Sequence, residues 1–213
     1  MITKTIPNSL FGDCIDSLIA YRSVYRSHCE QFRDELPSSS GNREGFIRNT
    51  NIRHNTELVS FASTYALLKD HSPDLHGKKV LQIACNVGLF LEYLIVEEGV
   101  VGTGLDKDEH VVELFKEHAP FPLVVGDALS FPLEHEGAFD LVVAHHFLDQ
   151  HYVSRRLLPQ LVAEAHKALV PGGALVTGLS DLPQDILDKS PFAEVVRYGG
   201  LVDGYDNLVL CKS

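Results

Sequence analysis

The sequence has no run of about 18 apolar residues, the length that a membrane-spanning helix requires. Its first residues, Met-Ile-Thr-Lys-Thr-Ile-Pro-Asn, contain no apolar stretch of the kind that forms the core of a secretory signal peptide. It also contains no internal repeat and no low-complexity tract. These absences predict a cytoplasmic protein that does not act on or in a membrane.

Cysteine is scarce and scattered. There is no Cys-x-x-Cys pair and no metal-ligand spacing among the four cysteines, Cys14, Cys29, Cys85 and Cys211. We therefore expect thiols that stay reduced in the cytoplasm, and no bound metal.

Positive charge is in short supply. The formal net charge is −11; residues 1–57 hold seven basic and seven acidic side chains, whereas residues 58–213 hold 11 basic and 22 acidic ones. An acidic domain repels phosphate backbones, so the charge predicts that neither DNA nor RNA is the substrate. With 213 residues, 45% hydrophobic and 22% charged, the chain has the size and composition of a soluble globular protein.

An alternation of apolar strands and amphipathic helices begins near residue 79 and predicts a mostly parallel sheet. The predicted strands are 79–84, 100–106, 123–126, 139–145, 174–179, 193–198 and 208–212. Before this alternation, helices are predicted over residues 13–33, with Asp13 as N-cap, and 57–69. We divide the chain into an N-terminal helical cap and lid segment, residues 1–56, and an α/β domain, residues 57–213.

The stretch 80–88, Val-Leu-Gln-Ile-Ala-Cys-Asn-Val-Gly, is the expected ligand-binding point, because it joins a buried strand to a helix through a small-residue turn. Small or turn-tolerant residues occupy positions 84, 86 and 88. A dinucleotide-binding turn needs its third glycine at position 89, where the sequence has Leu89. The spacing therefore argues against NAD and FAD.

This turn resembles motif I of the class I S-adenosylmethionine (SAM)-dependent methyltransferases, which usually reads acidic-x-Gly-x-Gly-x-Gly. Glutamine replaces the acidic residue, alanine and asparagine replace the first two glycines, and the third glycine is present. Asparagine enters left-handed conformations readily, and glutamine keeps a hydrogen-bond acceptor without the charge. The resemblance implies cofactor contacts from Gln82, Ala84, Cys85, Asn86 and Gly88.

The resemblance extends over about residues 78–180. Asp106 ends the second strand of the alternation, 18 residues after Gly88. At this position the family has a carboxylate that accepts hydrogen bonds from both hydroxyls of the cofactor ribose. A carboxylate suits this role because its two oxygens can accept from two donors. Lys107 would lie beside the adenine.

Three further segments match the family. Gly-Asp-Ala at 126–128 resembles a motif whose aspartate accepts from the adenine amino group, which implies cofactor contacts from Asp127 and Ala128. A helix N-cap is the structural alternative for Asp127. Phe-Asp-Leu-Val-Val-Ala at 139–144 and Leu-Val-Pro-Gly-Gly-Ala-Leu-Val at 169–176 are typical of members that act on small molecules.

Together these motifs imply a Rossmann-like, doubly wound, mostly parallel seven-stranded sheet with an N-terminal helical cap. The implied cofactor is SAM, with S-adenosylhomocysteine (SAH) as its product, and the implied activity is methyl transfer to a small-molecule acceptor by direct displacement. Alignment of the reacting atoms supplies most of the rate in such a reaction, so few catalytic groups are expected.

Two other functions stay open. The altered motif I fits a catalytically silent methyltransferase-like domain that acts as a binding or regulatory partner, although a silent site has no reason to keep Asp106, Asp127 and Gly88. A SAM-binding enzyme with different chemistry is equally compatible with the sequence, which does not indicate the oligomeric state.

The segment His-His-Phe-Leu-Asp-Gln-His at 145–151 places three histidines and a carboxylate within seven residues. Neighbouring residues at a strand end point in opposite directions, which disfavours a metal site. We expect one of His145 and His146 to line the pocket, where a histidine can serve as a general base. His146 is slightly preferred for that role, and His145 is assigned as a cofactor contact.

Six of the nine arginines lie between Arg22 and Arg53, several of them in or beside an aperiodic segment, residues 37–55. One interpretation is a solvated surface segment. The other is a lid whose arginines, Arg48 and Arg53 in particular, bind an anionic substrate or the cofactor carboxylate, because guanidinium pairs bidentately with carboxylates.

Overall fold

The computed structural model describes residues 1–32, 55–131, 135–149, 152–199 and 205–213, and the side chains of these residues except in 22–32 and 55–58. The helices are α1 (Asn8–Phe32), α2 (Asn55–His71), α3 (Leu89–Glu98), α4 (Glu109–Phe115), α5 (Leu158–Ala168) and α6 (Gln184–Leu187). The strands are β1 (Ile2–Thr5), β2 (Lys79–Ile83), β3 (Val101–Asp106), β4 (Leu123–Val125), β5 (Phe139–Val143), β6 (Leu169–Ser180), β7 (Glu194–Gly199) and β8 (Asp206–Cys211).

These strands form one sheet in the order β1-β7-β8-β6-β5-β2-β3-β4. All neighbouring strands are parallel except β8, which runs antiparallel to both β6 and β7. The predicted doubly wound, mostly parallel sheet is confirmed, with eight strands in the described residues instead of seven. The additional strand, β1, pairs with β7 at the edge of the sheet and is exposed along its length. It was not predicted because its sequence has no buried apolar pattern.

Helix α1 starts earlier than predicted. Its first residue is Asn8, and the N–H of Phe11 donates to the carbonyl oxygen of Pro7 at 3.1 Å. Asp13 therefore lies inside the helix, so its prediction as the N-cap is wrong. Gly99 ends α3 in a left-handed conformation, and Asp108 caps α4 by accepting from the N–H of Val111.

Strand β6 also differs from the prediction. It extends from Leu169 through the Pro-Gly-Gly segment to Ser180, whereas the predicted strand covered only residues 174–179. Its pairing with β5 is irregular there, because Phe139 faces Leu169 while Leu141 faces Ala174. The segment therefore forms an irregular start to the strand.

Helices α1, α2 and α3 pack on one face of the sheet, and α5 and α6 on the other. Polar contacts join α1 to α3: the Tyr93 hydroxyl donates to Ser17 Oγ at 2.7 Å, and the Tyr21 hydroxyl donates to Glu92 Oε1 at 3.1 Å. The N-terminal helices thus share a core with the sheet. The domain division at residue 56, which falls within the first turn of α2, stays a prediction.

The parallel strands β2, β3, β4, β5 and β6 bring their carboxyl ends to one edge of the sheet. Gln82 of β2 is paired with Gly104 of β3 on one side and with Val143 of β5 on the other, so the turns that follow these strands are neighbours. None of the helices in the described part of the chain is long and apolar enough to cross a membrane.

Candidate functional site

The turn after β2 contains three left-handed residues. Ala84, Asn86 and Gly88 have φ angles of 51°, 54° and 75°. These are the three positions at which motif I has glycine. A left-handed conformation costs an ordinary residue about 1–2 kcal/mol, so an alanine adopts it only where its surroundings require it. The backbone of the turn therefore keeps the form of the motif although two of its glycines are replaced.

Position 88 requires glycine both because its backbone is left-handed and because there is no room for a side chain. A Cβ atom on this residue would lie 2.4 Å from Cζ of Phe121, a buried ring that packs against the turn. The carbonyl oxygen of Gly88 also accepts from the N–H of Glu92 at 2.8 Å, which starts α3. Phe121 follows α4 and had not been singled out from the sequence.

Asp106 joins the turns that follow β2 and β3. Its Oδ2 accepts from the N–H of Asn86 at 2.7 Å, and its Oδ1 accepts from the N–H of Asp108 at 3.0 Å. Each carboxylate oxygen can accept a second hydrogen bond, so this half-buried side chain keeps capacity for the two hydroxyls of a ribose. Its role as the ribose ligand stays a prediction.

Two amide side chains in and beside this turn have buried oxygen atoms without a hydrogen-bond partner among the described residues. Gln82 is 4% exposed, and neither its Oε1 nor Oδ1 of Asn86 has a hydrogen-bond partner among the described residues. A buried acceptor without a partner destabilises a protein by about 1–3 kcal/mol. Both oxygens fit a ligand that brings donors such as an ammonium group, and the methionine part of SAM carries one.

Cys85 is one of the buried residues of the turn. Its Sγ lies 3.0 Å from where a Cβ of Gly104 would be, so the side chain packs on β3. Burial, followed by the negative charge of Asp106, raises the pKa of the thiol well above its usual value. Cys85 therefore stays protonated and is not a nucleophile.

The remaining predicted cofactor contacts follow β3 and β4. Lys107 is exposed. Oδ1 of Asp127, also exposed, accepts from the N–H of Leu129 at 2.9 Å, so the side chain closes a turn of the backbone. Ala128 is half-buried against the core on the α5 face of the sheet. The adenine contacts stay predictions.

His145 is bound by helix α2 through both ring nitrogens. Its Nε2 lies 3.0 Å from Oγ of Ser60, and its Nδ1 lies 2.7 Å from Oγ1 of Thr64. The ring also stacks on Phe61, at 4.7 Å between centroids. Both nitrogens are thus occupied by α2, and the predicted cofactor contact has no support in this arrangement. Ser60 and Thr64 were missed from the sequence.

His146 points into different surroundings. Its backbone is left-handed, with a φ of 49°, and its N–H donates to the carbonyl oxygen of Gly178 at 2.9 Å. Its ring lies against Tyr152 and Tyr205. Leu179 of β6, with a φ of 53°, is the fourth left-handed residue other than glycine in the described chain. All four lie where β2, β5 and β6 end, and such strain is common at functional sites.

Other predicted residues are not placed. Arg48, Arg53 and His151 lie outside the described residues. Within the described part of the chain, no group of three or more His, Cys, Asp or Glu side chains is arranged to hold a metal ion.

Acid should weaken the fold through His145. Burial, followed by the charge of His146, lowers the pKa of His145 from 6.5 to about 3. The unfolded chain then binds a proton that the folded chain excludes, so this contribution to stability is complete above pH 6.5 and is lost as the pH falls toward 3. We expect urea unfolding to show lower stability at pH 5 than at pH 7, and His145→Gln to reduce the difference.

The control for this experiment is His110→Gln, which removes an exposed histidine on α4. It should leave the pH dependence unchanged. An equal pH dependence in His145→Gln and the unmodified protein would contradict the assignment.

Part of the chain resembles a known protein family. Residues 81–177 match a family model described as a methyltransferase domain, and the match contains the turn after β2, Asp106 and Asp127. No curated protein matches the sequence. The sequence match and the fold agree: residues 81–177 resemble a methyltransferase domain, and solved SAM-dependent methyltransferases share the fold of the chain.

Solved structures share the fold at low sequence identity. A SAM-dependent methyltransferase from Archaeoglobus fulgidus is 18% identical, with 79% of this chain and 99% of that chain covered and a TM-score of 0.58. A TehB-like SAM-dependent methyltransferase from Corynebacterium glutamicum is 21% identical, with 78% and 98% covered and a TM-score of 0.57.

Other matches are longer proteins. The CurJ carbon methyltransferase is 14% identical, with 79% of this chain and 58% of that chain covered and a TM-score of 0.59. The chain spans 44% of a putative sarcosine dimethylglycine methyltransferase from Galdieria sulphuraria, at 14% identity, 55% of this chain covered and a TM-score of 0.48.

Proposed function

We propose that this protein transfers a methyl group from SAM to a small-molecule acceptor. The observation that carries the proposal is the turn after β2, where Ala84, Asn86 and Gly88 are all left-handed and the N–H of Asn86 is held by Asp106. This strained backbone is maintained with two of the three glycines replaced. The unpaired side-chain oxygens of Gln82 and Asn86 can accept hydrogen bonds from a ligand.

Each residue of the site has a defined part in the proposal. Asp106 would bind the ribose hydroxyls, Asp127 the adenine, and the amide oxygens of Gln82 and Asn86 the ammonium of the methionine part. Bound SAM would supply a methyl group on a positively charged sulfur, for transfer to the acceptor's nucleophile with SAH as the leaving group. His146 would accept a proton that the nucleophile loses.

Charge and topology favour a small acceptor. The net charge of −11 opposes the approach of a nucleic acid. The connection between β6 and β7 holds only the short helix α6, so it adds no large substrate-binding unit at this edge of the sheet. We therefore expect the acceptor to be a small molecule whose nucleophile binds near the end of β5.

The test is a transfer assay with SAM labelled in its methyl group, a panel of amines, thiols, phenols and carboxylates, and detection of both SAH and labelled product. We expect acceptor-dependent SAH formation in at least one chemical class. His146→Ala should lower the rate at saturating acceptor without changing SAH affinity. Tight SAH binding without transfer to any class would favour the catalytically silent domain.

A further inference from the structure

The side chain of His145 is held by two hydroxyl groups of α2. Ser60 and Thr64 are four residues apart in the chain, so they lie on the same side of the helix, one turn from each other. Their side-chain oxygens lie 3.0 Å from Nε2 and 2.7 Å from Nδ1 of the imidazole, respectively. Both residues are buried. The ring is therefore fixed at each of its nitrogens by a group that water does not reach.

The three side chains form one continuous series of hydrogen bonds. Oγ1 of Thr64 also lies 3.5 Å from the carbonyl oxygen of Ser60, at the long limit for a hydrogen bond. Burial lowers the pKa of His145 to about 3, so at neutral pH the ring is uncharged, with one nitrogen that donates and one that accepts. All three bonds form together when Thr64 donates to the carbonyl, Nδ1–H donates to Thr64, and Ser60 donates to Nε2.

Thr64 also contacts the residue that holds the backbone of His146. A Cβ atom on Gly178 would lie 2.0 Å from Oγ1 of Thr64, so the hydroxyl occupies the place that a side chain would take at this position of β6. The carbonyl oxygen of Gly178 accepts from the N–H of His146 at 2.9 Å. One hydroxyl group is thus in contact with two anchors, the ring of His145 and the backbone at Gly178.

The backbone of His146 needs such anchors because it is left-handed, with a φ of 49°. A residue other than glycine keeps this conformation only where the surrounding structure requires it. The hydrogen bond to Gly178 and the fixed ring of His145 are two contacts that do so. Since a backbone conformation sets the direction of its side chain, they also set where the His146 imidazole lies.

The same frame extends to the helix that follows the cofactor turn. Phe61 of α2 stacks on Phe90, the second residue of α3, with 5.4 Å between ring centroids and the planes 5° apart. The His145 ring lies against both, with its centroid 4.7 Å from that of Phe61 and 5.9 Å from that of Phe90. Helix α2 therefore fixes the segment after β5 relative to the start of α3.

We propose that Thr64, assisted by Ser60, is a positioning residue that holds His146 in the orientation in which it accepts a proton from the acceptor. Thr64 acts through the ring of His145 and the backbone at Gly178. The inference rests on the proposed function, in which His146 is the proton acceptor. The position of such a group matters because a displacement of about 1 Å can lower a rate on the order of a hundredfold.

The first test follows the histidine rings of the full chain by NMR with 15N-labelled histidine, with signals assigned from His145→Gln and His146→Gln. Thr64→Val replaces the hydroxyl with a methyl group of similar size, and it should shift the ring signals of both histidines. Thr64→Ser keeps the hydroxyl and should leave both signals near their original positions. Circular dichroism checks that each variant is folded.

Ser63→Ala is the matched control. The Ser63 hydroxyl is buried in the same helix, next to Thr64 in the chain, but it donates to the carbonyl oxygen of Val59 at 2.7 Å. Its removal should move neither histidine signal. Ser60→Ala, which removes the other hydroxyl that holds His145, should shift both signals in a second, independent way.

The second test measures transfer kinetics with methyl-labelled SAM and an acceptor from the panel of amines, thiols, phenols and carboxylates. Thr64→Val should lower kcat at least about tenfold and leave the KM for the acceptor and the affinity for SAH within about threefold, because the change falls on the base and not on binding. Thr64→Ser and Ser63→Ala should both keep kcat within about threefold of the unmodified protein.

An unmoved His146 signal in folded Thr64→Val, or an equal shift in Ser63→Ala, would overturn the inference. An unchanged kcat in Thr64→Val would overturn it as well. Failure of the proposed function gives a different result: the unmodified protein would neither bind SAH in calorimetry nor transfer a methyl group to any acceptor. The NMR comparison needs no cofactor or acceptor, so it decides in either case whether Thr64 holds His146 in place.

Discussion

Replacing Asp106 with alanine is expected to weaken SAH binding by at least about a hundredfold, because hydrogen bonds from two ribose hydroxyls to a carboxylate contribute about 1.5–3 kcal/mol each. The structure adds a second consequence. The N–H groups of Asn86 and Asp108 both lose their acceptor, so the turns after β2 and β3 become less well defined. Calorimetric titration with SAH measures the affinity, and urea unfolding measures the accompanying loss of stability.

Asp108→Ala is the matched control for this variant. Asp108 caps α4 through the N–H of Val111, at 3.1 Å, so its removal should destabilise the fold by about 1 kcal/mol. Its SAH affinity should stay close to that of the unmodified protein. If Asp106→Ala and Asp108→Ala bind SAH equally well, Asp106 is not the ribose ligand.

Gly88→Ala is expected to be the most disruptive single substitution in the turn. The new methyl group would meet Phe121 at 2.4 Å, and alanine would have to hold a φ of 75°. Overpacking costs about 1–3 kcal/mol and the left-handed conformation about 1–2 kcal/mol more. We expect a loss of about 2–5 kcal/mol in urea unfolding and no measurable SAH binding by the remaining folded protein.

Two further variants separate the causes. Ala84→Gly makes the reverse exchange at another left-handed position, so it should not destabilise the turn and should keep SAH binding. Gly88→Ala combined with Phe121→Leu should recover part of the lost stability, because a smaller, flexible side chain can move away. A Gly88→Ala protein as stable as the original would show that Phe121 and the turn are arranged differently.

The sequence predicted those parts of the molecule that depend on local pattern. Apolar strands and periodic helices located the alternation after residue 79, and the small residues at 84, 86 and 88 located the turn. The cap at Asp108 and the helix end at Gly99 also follow from short-range chemistry. Strand β1 was missed because an exposed edge strand carries no apolar alternation.

Long-range contacts could not be predicted from one sequence. Ser60 and Thr64 are one helical turn apart, which is a visible pattern, but nothing local indicates that both meet His145, which is more than 80 residues away in the chain. The same holds for Phe121 over Gly88. The left-handed form of Ala84 has no signal in its own chemistry, since alanine does not favour it; the surrounding fold imposes it.

The central claim is that the turn after β2 still binds SAM although two glycines and the acidic residue of the motif are replaced. A thermal-unfolding titration with SAM and with SAH, and with NADH as the negative control, tests it most directly. Binding to the folded state alone raises stability by about 2.7 kcal/mol at a hundredfold excess of ligand over Kd. We predict a concentration-dependent rise in Tm with SAM and SAH and none with NADH. No shift with either at millimolar concentration, or an equal shift with NADH, would contradict the account.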